Sequence, residues 1–199
     1  MLKAEQKFEN HIKDTNGFSI DFLNYLACPL CKHTLDLNNL SIVNNEVFEG
    51  ELKCECGYTA TIKDGILISN QKPLERPEIA NGLLCQYDAK SISILQKVAN
   101  KLNTDLITLD LNNKLILDTN IERCFYLLKN INKLSQEALY IISDPSYDIV
   151  DYYKKQFSLL NIKRKFIFIV SDERIPLKNS VVDIFIDCFQ SNFYALHNS

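Results

Sequence analysis

The spacing of apolar residues changes along the chain, and the changes predict an α/β fold. Short alternating runs occupy residues 20–69 and are typical of β-strands. After residue 78, strand-like apolar runs alternate with stretches in which apolar residues recur at helical spacing. Such alternation predicts a mostly parallel sheet joined by right-handed crossovers. The predicted strands are 114–118, 138–143, 166–170 and 181–189, the predicted helices are 78–101, 121–134 and 147–160, and 106–111 fits either a strand or a loop.

The same pattern divides the 199-residue chain into four segments. Residues 1–19 form a polar lead-in, and residues 20–69 form a small β-rich module. Two prolines within the polar stretch 70–77 indicate a linker. Residues 78–199 then form the larger α/β domain, because a chain of this length accommodates one domain of usual size beside a small module.

The last predicted strand indicates whether the α/β domain is complete and where the protein binds a partner. A doubly wound sheet continues beyond its fourth strand, so we expect the α/β domain to be incomplete at its C-terminus. The strongly apolar segment 181–187 would then lie at the edge of the sheet, where exposed strands pair with other chains. We therefore expect either a piece of a longer protein or a protein that binds a partner, or a second copy of itself, through this strand.

Composition and charge narrow the function classes. The formal net charge of −3 provides no general attraction to nucleic acids or anionic membranes. Residues 20–70 carry seven acidic residues against three lysines, which argues against nucleic acid as a partner. The basic cluster of Lys154, Lys155 and residues 163–165 is interpreted as a solvated surface. Neither a membrane span nor an N-terminal signal segment is evident, so we expect a cytoplasmic protein without a membrane partner.

Four of the seven cysteines form two close pairs. Two residues separate Cys28 from Cys31, and one residue separates Cys54 from Cys56. Paired thiolates on two turns supply the four tetrahedral sulfur ligands that zinc prefers, so we predict a Zn²⁺ site. A disulfide pair or free core thiols are the alternatives, and His33 is a substitute ligand because the second pair is one residue shorter than usual. The remaining three are expected to be inert core thiols: Cys85, Cys124 and Cys188.

The residues around these cysteines resemble a known family. "LACPLCKHTLDL" followed by "GELKCECGYTATIKDGILI" is similar to short zinc-ribbon proteins that include activator subunits of methyltransferases. Similar ribbons are fused to the N-termini of S-adenosylmethionine (SAM)-dependent methyltransferases. The resemblance covers residues 23–68, and only the shortened second cysteine pair departs from it. It implies a structural zinc ribbon fused to a methyltransferase-like domain.

Residues 114–196 resemble class I SAM-dependent methyltransferases. The matching parts are 114–118 as the first strand, 138–144 as the second, and "FIFIVSDERIPLKNSVVDIFIDCFQSNFYAL" as the third and fourth. The resemblance implies a Rossmann-like domain with a SAM pocket and an acid, Asp144, that binds the ribose hydroxyls. The cofactor-binding candidates that it implies are Asp118, Asn120, Asp144 and Asp172.

The cofactor loop departs from this family. Residues 119–124 contain no glycine, whereas a glycine-rich turn is what lets the backbone approach the cofactor. Ile121 and Glu122 would crowd that space, so we expect SAM binding to be lost or weakened. Asp144, which precedes Pro145, has a capping role at the next helix as its alternative. A turn-capping role is the alternative for Asp172.

Taken together, these features predict a small β-rich zinc ribbon followed by a Rossmann-like, mostly parallel α/β domain. The expected role is binding, scaffolding or regulation of a partner. One alternative is an active SAM-dependent methyltransferase acting on RNA or a small molecule, and a second is a zinc-ribbon nucleic-acid-binding module. No catalytic residue is assigned, because the three histidines are far apart in the sequence and no known catalytic motif is present.

Overall fold

The computed structural model of the chain describes residues 17–70, 89–119, 137–159, 166–172 and 174–186. Within them, nine strands form a single mixed sheet. The strands are β1 (Phe18–Ser19), β2 (Asp36–Val43), β3 (Glu46–Lys53), β4 (Thr59–Lys63), β5 (Ile66–Ile68), β6 (Leu115–Asp118), β7 (Leu139–Asp144), β8 (Phe166–Val170) and β9 (Ile184–Ile186). The helices are a 3-10 helix (Ile20–Tyr25), α1 (Ala89–Thr108) and α2 (Tyr147–Leu159).

The N-terminal strands β1 to β5 are antiparallel. Two-residue turns join β2 to β3 and β4 to β5, and their central residues all have positive φ. Asn44 and Asn45 form the first turn with φ of 52° and 68°, and Asp64 and Gly65 form the second with φ of 50° and 72°. Asn, Asp and Gly tolerate this conformation best, so these turn sequences set the register of both hairpins.

The C-terminal strands are parallel and lie in the order β8-β7-β6-β9. In chain order these are the third, second, first and fourth strands of this part. The prediction of an α/β protein is confirmed at the level of a mixed sheet with a parallel part and helices packed on it. The predicted strand 166–170 is correct, and 114–118 and 138–143 are correct to within one residue.

Two sequence predictions need correction. The strand predicted over 181–189 begins only at Ile184, because Asp183 instead accepts a hydrogen bond from the Leu115 N–H through its carboxylate (2.9 Å). The run 106–111 is neither a strand nor wholly a loop, because α1 continues to Thr108 and buries Leu106 one turn after Leu102. The predicted helix 121–134 lies outside the described residues, as does the part of the predicted helix 78–101 that precedes residue 89, whereas 89–101 is helical.

The antiparallel and parallel parts share one sheet. Strand β5 pairs in parallel with β8, with Ile66 opposite Phe168 and Ile68 opposite Val170. Backbone hydrogen bonds therefore run without interruption from the antiparallel strands β1 to β5 into the parallel strands. Residues 71–77 of the predicted linker lie outside the described residues, so the domain boundaries stay sequence predictions.

Each face of the parallel strands is covered by a different part of the chain. Alternating residues such as Ile116, Tyr140 and Phe168 form one core with the inward faces of α1 and α2. Their neighbours, such as Leu117 and Ile169, form a second core with residues of the segment 17–70, here called the cysteine-bearing part. That part supplies Phe18, Phe22, Val47, Leu52 and Ile62 to the second core, all 0–1% exposed. The cysteine-bearing part thus covers the second face of the sheet.

Strand β9 lies at one end of the strand order, next to β6. Its Phe185 side chain is 59% exposed. The Asp183 carboxylate, just before β9, accepts a hydrogen bond from the Leu115 N–H and forms an ion pair with Lys114 (3.2 Å). These interactions join the start of β9 to β6. Association through residues 181–187 stays a prediction. No helix in the described residues has the length and apolar character needed to cross a membrane.

We expect Phe22→Ala to destabilise the whole protein and not the cysteine-bearing part alone. Phe22 is 1% exposed and belongs to the core that also contains β8 residues, so its truncation should cost about 3–5 kcal/mol. Urea unfolding should remain a single transition at a lower midpoint. Leu159→Ala is the control, because Leu159 is 79% exposed and should change stability by less than about 0.5 kcal/mol. Two separate transitions in the Phe22 variant would contradict this expectation.

Candidate metal centre and carboxyl edge

Two turns bring the four predicted cysteines together. Cys28 and Cys31 lie on the turn after the 3-10 helix, and Cys54 and Cys56 lie between β3 and β4. All four sulfurs lie within 4.8 Å of one another. Cys28 and Cys56 are separated by 3.5 Å, and Cys31 and Cys54 by 3.4 Å, so the thiols are close but not bonded as disulfides. The cluster could hold a metal ion.

The backbone explains how a shorter second pair still completes the cluster. The residue after each second cysteine has positive φ, 64° at Lys32 and 90° at Gly57. Lys32 N–H donates to the Cys28 carbonyl and Gly57 N–H to the Cys54 carbonyl, each over 2.9 Å. The first turn closes over five residues, 28–32, and the second over four, 54–57. The missing residue is therefore absorbed by a tighter turn, which the left-handed φ of Gly57 permits.

The turns also direct backbone N–H groups at the sulfurs. Desolvation of the Cys28 thiol raises its pKa, but hydrogen bonds from the Cys31 and Leu30 N–H groups and from neighbouring thiols lower it to about 7. The Cys56 N–H lowers the pKa of Cys54, but burial and the adjacent thiols outweigh that bond and raise it to about 12. Thiolates are the form that binds metal, so metal binding must displace protons, and metal affinity should fall as the pH falls.

The donor set fits a tetrahedral thiolate site. Zinc–sulfur bonds of about 2.3 Å require sulfur–sulfur separations of about 3.8 Å, close to those found here. His33, the substitute ligand considered from the sequence, is exposed, and its backbone carbonyl accepts the Cys28 N–H over 2.9 Å. Cys28 is fully buried and Cys54 is 8% exposed, so these two belong to the second core, whereas Cys31 is half-buried at its margin and Cys56 is exposed.

Three of the four other candidate residues lie at the carboxyl ends of the parallel strands, here called the carboxyl edge. Asp118 ends β6 and Asp144 ends the adjacent β7, and both are buried, at 3% and 5% exposure. Asp144 accepts a hydrogen bond from the Ser146 N–H over 2.9 Å in a turn just before α2, and the residue at the start of the helix is Ser146, whose carbonyl accepts the Val150 N–H. Asp172 lies just beyond β8 and is exposed. Asn120 lies outside the described residues.

One buried lysine was missed by the sequence analysis. Lys154 was interpreted as part of a solvated surface, but only 4% of it is exposed. Burial penalises its charged form and lowers its pKa, although Asp151 and Asp64 favour the ammonium. The helical spacing of the apolar residues indicates this burial, because Lys154 follows Val150 by four residues and so lies on the inward face of α2.

A contact between Tyr58 and Ser69 was also not predicted from the sequence. Tyr58 lies beside the second cysteine turn, and its hydroxyl lies 2.7 Å from the Ser69 hydroxyl, just after β5. Burial is the main reason why the pKa of Tyr58 is raised. Two polar atoms near this edge are buried without a hydrogen-bond partner: Asn70 Oδ1 and Ser146 Oγ.

No protein-family model matches this chain, and no curated protein matches it well enough to count as a relative. The resemblances to zinc ribbons and to methyltransferases therefore stay predictions.

We expect Cys54→Ser to lose bound metal and to destabilise the cysteine-bearing part. Removing one thiolate leaves three sulfurs, and metal binding supplies much of the folding free energy of such small modules. Metal analysis of protein purified without chelator should give about one zinc ion per chain for the wild type and much less for the variant. Cys85→Ser is the matched control, since that cysteine is outside the predicted site. Equal zinc content in all three proteins would contradict the assignment.

Proposed function

We propose that this protein is a zinc-binding member of the methyltransferase superfamily whose cofactor loop has degenerated, with a binding or regulatory role. Its zinc would be structural and bound by Cys28, Cys31, Cys54 and Cys56. Closed four-thiolate sites are typical of structural zinc, whereas catalytic zinc keeps an open position for water or substrate. The burial of Cys28 and Cys54 within a shared core supports this role.

The observation that carries the rest of the proposal is the strand order β8-β7-β6-β9 with acidic residues at the carboxyl ends. This is the third-second-first-fourth order of Rossmann-like sheets, in which ligands bind outside the carboxyl ends where the order reverses. That switch point lies between β6 and β9. Asp118 ends β6 there, and Asp144 ends the next strand.

Three observations favour binding over methyl transfer. The chain has no glycine after Gly82, so the segment that follows β6 lacks the residues that let a backbone approach a cofactor. Thr119 donates its N–H to the Ile186 carbonyl over 3.1 Å, and its hydroxyl lies 3.4 Å from the same oxygen. Its side chain therefore lies across the switch point. The carboxylate of Asp144 already accepts the Ser146 N–H.

The partner that we propose is a protein or a second copy of this chain, bound through residues 181–187. Phe185 is exposed on the terminal strand of the described sheet, which supports this choice. Nucleic acid is a weaker candidate because the cysteine-bearing part is acidic.

The second candidate function is an active SAM-dependent methyltransferase. Two buried carboxylates at the carboxyl ends of adjacent strands favour it, because acids in these places bind cofactor hydroxyls in nucleotide-binding folds. This candidate requires an unusual loop to replace the missing glycines.

Thermal unfolding with and without SAM separates the two functions. Ligand at 100 times its dissociation constant adds about 2.7 kcal/mol, which raises the melting temperature of a domain of this size by roughly 5–10 °C. We expect no rise at millimolar SAM.

A rise in the wild type would contradict the degenerate-loop proposal and favour the enzyme. In that case Asp144→Asn is the matched variant. It retains an oxygen acceptor for the Ser146 N–H but removes the charge, so a shift that disappears in this variant would locate the ligand at the carboxyl edge.

A further inference from the structure

The first cysteine turn is hydrogen-bonded to the segment that follows β8. Ala27 N–H donates to the Pro176 carbonyl (3.2 Å), and Lys178 N–H donates to the Tyr25 carbonyl (2.9 Å). Leu26 and Leu177 form an antiparallel bridge between these two bonds, and both are buried. The residue that follows Ala27 is the metal-ligand candidate Cys28, so no flexible spacer separates the cluster from this contact.

The same segment is tied to the carboxyl edge at its other end. Ser171 N–H donates to the Asp144 carbonyl over 3.1 Å. The Ser171 hydroxyl donates to the Arg174 carbonyl, also over 3.1 Å. Residues 171–172 and 174–178 therefore link the first cysteine turn to the end of β7, and they include the candidate Asp172.

The second cysteine turn reaches the carboxyl edge by an independent route. Cys54 N–H donates to the Tyr58 carbonyl over 2.9 Å. The Tyr58 hydroxyl lies 2.7 Å from the Ser69 hydroxyl, and Ser69 N–H donates to the Val170 carbonyl over 2.8 Å. Both turns are thus attached to residues at the carboxyl end of β8.

We propose that metal occupancy controls the position of residues 171–172 and 174–178 and of Ser69 at the carboxyl edge of the parallel strands. The metal fixes the four sulfurs and hence both turns, and the turns hold these residues through the backbone bonds above. Loss of metal by chelation or oxidation would release them while the opposite edge of the sheet keeps its bonds. The inference rests on the metal binding proposed above but not on SAM binding.

Hydrogen exchange of the full-length protein tests this directly, with Zn²⁺ as the only ligand. The amides of Ala27, Ser69 and Lys178 should lose protection when zinc is removed by a chelator. The control amides lie at the amino edge, where Leu139 N–H donates to the Lys114 carbonyl and Asp183 N–H to the Leu115 carbonyl, each over 2.9 Å. Their protection should fall much less than that of the three test amides, because they share only the loss of global stability.

Two outcomes of the exchange experiment would overturn the inference. Unchanged exchange of the three test amides would show that the metal does not hold this edge. Equal loss at both edges would show that the metal supports the whole sheet and does not act on one edge of it. A protein that binds no zinc would refute the proposed function as well, so the two failures are distinguishable.

Coupling is reciprocal, so weakening the contacts should weaken zinc binding even with every cysteine intact. Lys178→Pro removes the N–H that bonds to Tyr25, and Lys178→Ala is the matched control because it keeps that N–H. We expect the proline variant to bind zinc at least about fivefold more weakly in competition with a chromophoric chelator.

Tyr58→Phe tests the second route and guards against misfolding of the proline variant. It removes only the hydroxyl that pairs with Ser69, so a reduction in zinc affinity of about two- to tenfold is expected. Wild-type zinc affinity in both Lys178→Pro and Tyr58→Phe would contradict the coupling.

Discussion

The parallel pairing of β5 with β8 is the interaction on which the rest of this structure depends. Parallel strands need cover on both faces because their side chains are apolar on both sides. Helices α1 and α2 cover one face, and the pairing brings the cysteine-bearing part over the other. An isolated module of some 50 residues buries too little surface to be stable. Here it completes its core with residues of β6, β7 and β8, so each part supplies what the other lacks.

This arrangement changes what the metal centre can do. On a module joined only by a linker, four cysteines would stabilise that module and nothing else. In this chain Cys28 and Cys54 belong to the same core as Ile167 and Ile169, and Ala27, next to Cys28, bonds to the segment after β8. A metal placed there would, under our proposal, act on the carboxyl edge of the parallel strands, where ligands bind in Rossmann-like folds. Structural and regulatory roles of the metal are therefore compatible.

The carboxyl edge is where local sequence and overall architecture disagree. The strand order and the buried Asp118 and Asp144 correspond to a nucleotide-binding design, but the segment after β6 has none of the glycines that such a design uses. Departures of this kind from otherwise consistent sequences are expected at functional or altered sites. Under the proposed function the sheet is retained and the cofactor loop has degenerated, which is why we propose a role in binding.

The sequence by itself determined the parallel strands, α2 and the cysteine set, because apolar periodicity and ligand spacing are local properties. Short-range turn chemistry likewise set the hairpins at Asn44-Asn45 and Asp64-Gly65. Only the tertiary structure decided that β5 joins β8, that Lys154 is buried, and that Tyr58 meets Ser69. These contacts join residues far apart in the chain or depend on which helix face is covered. The spacing of apolar residues indicates that one face of a strand or helix is apolar, but it does not indicate which element packs against that face.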